Sequence, residues 1–172
     1  MKPNSYSKVY LLALLEEPML NSPVMILHEP KSDRILPIWI GELEARAIAV
    51  AFQGIETERP LTHTLLKNTI LGLGAKLNRV VIEKLAGGTY LAQIWIMKAK
   101  QRKSVLIDSR PSDAVAMALE TGRPIYVAKA ILDAVGQVNP FPSSQLKNPS
   151  FTPEEVQRLR NLLQKARERE EE

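Results

Sequence analysis

Asp108, Arg110 and Asp113 stand close together in Ile107-Asp108-Ser109-Arg110-Pro111-Ser112-Asp113-Ala114, where an apolar strand turns into a helix. Two carboxylates gathered at such a junction can hold a divalent cation or polarise a water. A guanidinium between them can pair with either acid or grip a phosphate by a two-pronged contact. The same junction occurs earlier as Ile38-Trp39-Ile40-Gly41-Glu42-Leu43-Glu44-Ala45. Glu44-Ala45-Arg46-Ala47-Ile48-Ala49-Val50 and Asp113-Ala114-Val115-Ala116-Met117-Ala118-Leu119 share an acid, three alanines and larger apolar residues. This suggests a core built from two related halves, with small side chains letting two helices lie close to a sheet or to each other.

Helix capping offers a second explanation of the acids. With Arg110 as N-cap and Pro111 as the first helical residue, Asp113 occupies the third position, where an acid stabilises unpaired N–H groups and the helix dipole. Glu44 holds the same position if Gly41 is a cap. Glu42 and Arg46 share another face of that helix, which leaves Glu44 pointing inward with Ile48 and Ala51. Asp108 precedes the cap, and capping does not account for it.

His63, in Arg59-Pro60-Leu61-Thr62-His63-Thr64, falls in a first helical turn between hydroxyls. It can act as a general base, hold phosphate or ligate a metal, or simply serve local hydrogen bonding. His28, beside Glu29-Pro30, reads as structural or surface. Lys98, Lys100, Arg102 and Lys103 form a footprint for a phosphate backbone, or a solvated hairpin tip. The aromatic residues show no alternating stacking platform. No phosphate-cradling glycine loop and no serine or cysteine nucleophile motif is present.

The elements that must position these groups follow from the apolar pattern. Strands are expected at 9–15, 24–27 and 35–40, separated by Pro18, Asn21-Ser22-Pro23 and Pro30-Lys31-Ser32-Asp33. Helices are expected at 42–52 and from Arg59-Pro60 to about Leu71. Residues 77–85 and 89–97 form a hairpin about Gly87-Gly88, and 105–107 adds a third antiparallel strand. A third helix spans 111–120, a strand 125–127 and a helical turn 131–135. The fold class is α+β, a mainly antiparallel or mixed β-sheet packed with alanine-rich helices. Residues 1–138 form the compact domain, and 139–172 a Pro/Ser/Asn-rich connector followed by an amphipathic helix. Thr152-Pro153-Glu154-Glu155 starts that helix, and Val156, Leu159, Leu162, Leu163 and Ala166 share its apolar side.

At 172 residues, 45% hydrophobic and 24% charged, the chain supports one domain with a real core and excludes disorder throughout. The absence of cysteine removes disulfides, thiolate nucleophiles and cysteine-held metals. The run Tyr10 to Leu15 ends at Glu16-Glu17, lacks a small-residue cleavage site and is too short to span a bilayer. A cytoplasmic protein without a membrane segment is expected. A net charge of +4 decides little about partners.

In serial order, Leu36-Pro37-Ile38-Trp39-Ile40-Gly41, Glu44-Ala45 with Ile48-Ala49, Arg59-Pro60-Leu61-Thr62-His63, Gly88-Thr89-Tyr90, residues 107–114 and Pro124-Ile125-Tyr126-Val127 resemble the bifunctional nuclease domain of bacteria and plants. The resemblance covers about residues 6 to 136. It implies phosphodiester hydrolysis in DNA or RNA. On that reading Asp108, Asp113 and Glu44 bind a divalent metal such as magnesium or activate water. Arg59, Arg110 and Thr62 contact the substrate, and His63 assists proton transfer. The aspartate that commonly follows the histidine in this family is Thr64 here, and residues 137–172 do not resemble the UVR motif of some plant members. Nucleic acid is the expected partner, with a homodimer favoured. The rival reading is a non-enzymatic dimeric interaction or regulatory module in which the same residues cap helices. A third is passive nucleic-acid binding through the turn from Lys98 to Lys103.

Overall fold

The computed structural model describes residues 5–17, 22–98 and 104–140, with helical residues at 157–158, 161–162 and 164–165. Strands β1 (Tyr6–Glu17), β2 (Ser22–Glu29) and β3 (Arg34–Trp39) form a meander that leads into helix α1 (Glu42–Gln53). Helix α2 (Thr62–Gly72) precedes a second meander, β4 (Ala75–Ala86), β5 (Thr89–Lys98) and β6 (Val105–Ser109), which leads into α3 (Pro111–Thr121). The chain continues through β7 (Ile125–Ala128), α4 (Lys129–Val135) and β8 (Gln137–Val138).

The eight strands among the described residues join one sheet in the order β6-β5-β4-β7-β1-β2-β3-β8. The β4–β7 pair is parallel, and the other pairs are antiparallel. The architecture is therefore α+β with a mixed, mostly antiparallel sheet, as the apolar pattern predicts. Each meander plus its helix forms one half, and β7 joins them. The glycine pair between β4 and β5 supplies the positive φ values of a tight turn, 56° at Gly87 and 71° at Gly88.

One face of the sheet carries the main core. Leu77, Val80 and Ile82 of β4, Ala92, Ile94 and Ile96 of β5 and Met25 and Leu27 of β2 pack there beneath Ile48, Ile70, Ala114 and Met117. Every residue of α3 from Ala114 to Ala118 is buried, because the helix lies between the sheet and the helices α1 and α2. This suits its alanines, small side chains that let packed helices approach closely, while Val115 and Met117 fill the rest of the buried surface. On the opposite face, Leu12, Ala13, Val24, Ile26 and Ile35 form a smaller cluster with Leu162 packed against it. The C-terminal helix thus docks on its own domain through Leu162. Its expected cap, Thr152 to Glu155, lies outside the described residues, as do Val156, Leu159, Leu163 and Ala166.

Two boundaries differ from the pattern-based expectation. Helix α2 begins at Thr62 with Leu61 as its N-cap, not at Arg59-Pro60. The Arg59 carbonyl accepts a hydrogen bond from the Thr57 hydroxyl at 2.7 Å, whereas Leu61 accepts the first helical bond, from the Leu65 N–H. The short strand β8 was not anticipated. It closes the β3 edge, and beyond it the Asn139 N–H donates to the Asp33 carbonyl at 2.9 Å. His28 takes a structural role in the same corner, within 2.8 Å of Asp33.

Candidate functional site

The two halves meet where α1 and α3 begin. Gly41 and Arg110 are the respective N-caps, so Glu44 and Asp113 occupy the third helical position in each. Neither cap residue makes a side-chain cap hydrogen bond. The two acids instead turn toward one guanidinium. Arg110 donates from Nε to Asp113 Oδ2 at 2.8 Å, from Nη2 to Asp113 Oδ1 at 3.2 Å, and from Nη1 to Glu44 Oε1. His63 Nε2, on α2, lies 3.2 Å from Asp113 Oδ1.

This arrangement links four residues from three helices in the order His63–Asp113–Arg110–Glu44. Its burial is graded. The His63 side chain is 17% exposed, Glu44 21% and Asp113 32%, while Arg110 at 63% faces solvent. Glu44 is indeed the inward acid of its turn, since Glu42 is exposed. Gly41 is needed beside it: a Cβ there would run into the Glu44 carboxylate.

Burial alone would push the Asp113 carboxyl up. The hydrogen bonds from Arg110 and His63, and their charges, outweigh it and hold the group below the ordinary 3.8. Glu44 is held below its ordinary value first by its own backbone N–H and then by Arg110, against the opposing effects of burial and of Asp113. The same two acids push the Arg110 guanidinium up, Asp113 first, so it stays charged.

The structure brings Glu44, His63, Arg110 and Asp113 together and leaves Asp108 apart. Asp108 pairs with Gln93 in the β5–β6 ladder, one place along from the pair of Ser109 with the buried Ala92. Paired residues share a face and successive residues alternate, so Asp108 points away from the helices, onto the other side of the sheet. Arg59 and Thr62 are exposed, the first in the connection ahead of α2 and the second in its first turn. Among the described residues, no three histidine, aspartate or glutamate side chains converge as a metal site. Arg110 also fills the place between Glu44 and Asp113 that a cation would need. The expected set Asp108, Asp113 and Glu44 therefore does not fit a divalent ion.

Two neighbouring features were not read from the sequence. Thr64 donates to Glu120 Oε1 at 3.0 Å and Lys67 to Glu120 Oε2 at 2.7 Å, so a second polar link ties α2 to α3. At this place the acid comes from the facing helix. Thr64, Lys67 and Glu120 line a cavity of about 510 Å³ bounded by the end of α1 and the 54–60 connection. The α2–α3 spacing of these side chains emerges only on packing. Thr64 and Lys67, 56 and 53 residues from Glu120, give no signal of it along the chain.

The family model of the bifunctional nuclease domain matches residues 25–140. An uncharacterised protein of Mycobacterium tuberculosis is 40% identical over 149 residues, covering 87% of each chain. "Bifunctional nuclease 2" of Oryza sativa subsp. japonica is 28% identical over 122 residues, covering 69% of this chain and 38% of the rice protein. "Bifunctional nuclease 1" of Arabidopsis thaliana is 28% identical over 109 residues, 62% of this chain and 34% of its own. The chain thus spans between a third and a half of the length of the plant relatives it resembles.

Proposed function

Since the chain belongs to the bifunctional nuclease domain family, we propose that it hydrolyses phosphodiester bonds in DNA or RNA at the His63–Asp113–Arg110–Glu44 cluster. The observation that carries the reading is the His63–Asp113 contact at 3.2 Å beneath an exposed arginine. With Nε2–H donating to Asp113, the other ring nitrogen is an acceptor, free to take a proton from an attacking water or ribose hydroxyl. Asp113 holds the ring in that tautomer and stabilises the imidazolium that forms. Arg110 faces solvent and keeps N–H donors beyond those given to the two acids. These meet the charge that builds on the phosphate oxygens in the transition state. Glu44 fixes the guanidinium from the other half of the domain. Arg59 and Thr62 extend the phosphate contact at the start of α2. No step requires a metal.

A nuclease assay on single-stranded DNA and RNA tests this. Asp113→Asn should lower the rate by on the order of 100-fold through loss of ring orientation. Asp108→Asn, on the far face, should leave cleavage of a small diester within about twofold of wild type. Equal residual activity in all three proteins would identify a contaminant and sink the proposal. The ion pairs between α1 and α3 also suit a purely structural clamp. That reading predicts lower stability for Asp113→Asn with hydrolysis absent from the wild type as well.

Self-association belongs to the same proposal. Val105, Leu106 and Ile107 are 43%, 50% and 44% exposed on β6, which among the described residues pairs only with β5 and has no strand on its outer edge. Open apolar edges pair with further strands. Light scattering should report a dimer, and Ile107→Lys should convert it to monomer. A monomeric wild type would remove this part of the reading. Among the described residues no helix is long and apolar enough to cross a membrane, and the cysteine-free composition supports a cytoplasmic setting.

A further inference from the structure

The sheet face opposite α1–α4, beyond the part on which Leu162 packs, carries polar and aromatic side chains set about the fully buried Val81 that the cluster above does not use. Lys8 of β1 pairs with Tyr126 of β7, Tyr126 with Val81 of β4, Val81 with Gln93 of β5, and Gln93 with Asp108 of β6. Paired residues share a face, so these form one line across five strands, spanning roughly 19 Å at the usual strand spacing. A second line beside it joins Arg79, Trp95 and Leu106. Tyr6 and Tyr10 flank Lys8 on the same face by strand alternation.

We propose that this face binds single-stranded nucleic acid, with Tyr10, Tyr126 and the Arg79–Trp95 pair stacking bases and Lys8, Lys76, Lys84 and Arg79 meeting phosphates. The proposal takes its ligand class from the nuclease reading but does not depend on where cleavage occurs. Charge and shape support it. Lys76 and Lys84 join this face through their pairing with Met97 and Leu91. The face then carries four cations against the two acids Glu83 and Asp108, and Glu83 is engaged by the Tyr6 hydroxyl at 2.6 Å.

The Arg79 guanidinium lies 3.9 Å from the Trp95 ring centroid and forms no ion pair among the described residues. Among the described residues Arg79 Nε and Trp95 Nε1 are both buried without a hydrogen-bond partner. A guanidinium stacked on an indole and left without a carboxylate is suited to a phosphate or to the face of a base. Lys8 sits over the Tyr10 ring at 4.9 Å, and Tyr10 is 50% exposed. Such aromatic–cation faces bind single strands with little sequence preference. The line ends at Asp108, two residues before Arg110. A strand following it therefore reaches the end strand β6, whose chain continues into Arg110 and α3.

The test is fluorescence anisotropy of the full chain with labelled oligothymidylate, alongside hydrolysis of a small phosphodiester. Lys8→Ala and Tyr10→Ala alter exposed side chains and should keep the fold, as circular dichroism will show. Each should weaken binding by about 5- to 10-fold. Arg79→Gln should do the same and make the logarithmic salt slope shallower by roughly 1. All three should hydrolyse the small diester at the wild-type rate, while His63→Ala should bind the oligonucleotide with wild-type affinity. Unchanged affinity in folded Lys8→Ala and Tyr10→Ala overturns the proposal, as does a wild type that does not bind. Binding that depends on this face in a protein without hydrolysis would uphold it and defeat the nuclease reading alone.

Discussion

Replacing Arg110 with methionine should destabilise the domain near neutral pH, abolish most hydrolysis, and reverse the direction in which stability changes with acid. In the wild type, Glu44 and Asp113 titrate below their ordinary values of 4.5 and 3.8. Their contribution is complete above those values and is lost as pH falls through the lower folded ones. Without Arg110, burial and mutual repulsion act on Asp113 with only His63 opposing them. The folded state then binds protons more readily than the unfolded chain, so acidification toward pH 4 should stabilise the variant while it weakens the wild type. At pH 7 the expected loss is about 1–2 kcal/mol, below that of a fully buried pair because the arginine is largely solvated. Hydrolysis should fall by on the order of 10²–10³ with the loss of the phosphate-facing charge. Urea unfolding at pH 7 and pH 4 reads the first effect. Parallel pH dependences in the two proteins would refute the electrostatic account of the cluster.

His63→Ala should lower the hydrolytic rate by about 10²–10⁴, the usual contribution of a positioned proton-transfer group. Stability should drop by only about 1 kcal/mol, for one hydrogen bond to a carboxylate. Added imidazole should restore part of the rate in His63→Ala, because truncation leaves space beside Asp113. It should restore none in Asp113→Asn, where the natural ring is still in place. A residue that merely packs α2 against α3 would show neither the rate loss nor the rescue. Full activity in His63→Ala would remove the proton-transfer role.

Much of this architecture was legible in the residues. The Gly87-Gly88 hairpin, the three-strand run after it and the alanine-rich helices follow from local pattern, and the family follows from motifs in serial order. What the pattern hides is register. Val105-Leu106-Ile107 is continuously apolar, so nothing in it reveals which face Asp108 takes. The pairing with Gln93 decides that, and it separates Asp108 from the acid five positions later. The matching junctions at Glu44 and Asp113 look like parallel copies of one cap. Folding makes them two sides of a single contact through Arg110, 66 residues from Glu44. The same limit hid the aromatic face. Tyr10, Trp95 and Tyr126 are scattered along the chain and become neighbours only through the strand order β5-β4-β7-β1.

Strand β7 has only four residues, yet it is the seam between the two meanders, parallel to β4 and antiparallel to β1. Glu44 lies on one side of that seam, and Arg110 with Asp113 on the other. The domain is therefore closed like a book with a short spine and one clasp on its helical side. Beneath the clasp one continuous core runs from Leu27 and Ile48 of the first half to Val80, Ile94 and Met117 of the second, so the binding is glued along its whole inner page and the clasp only closes its outer corner.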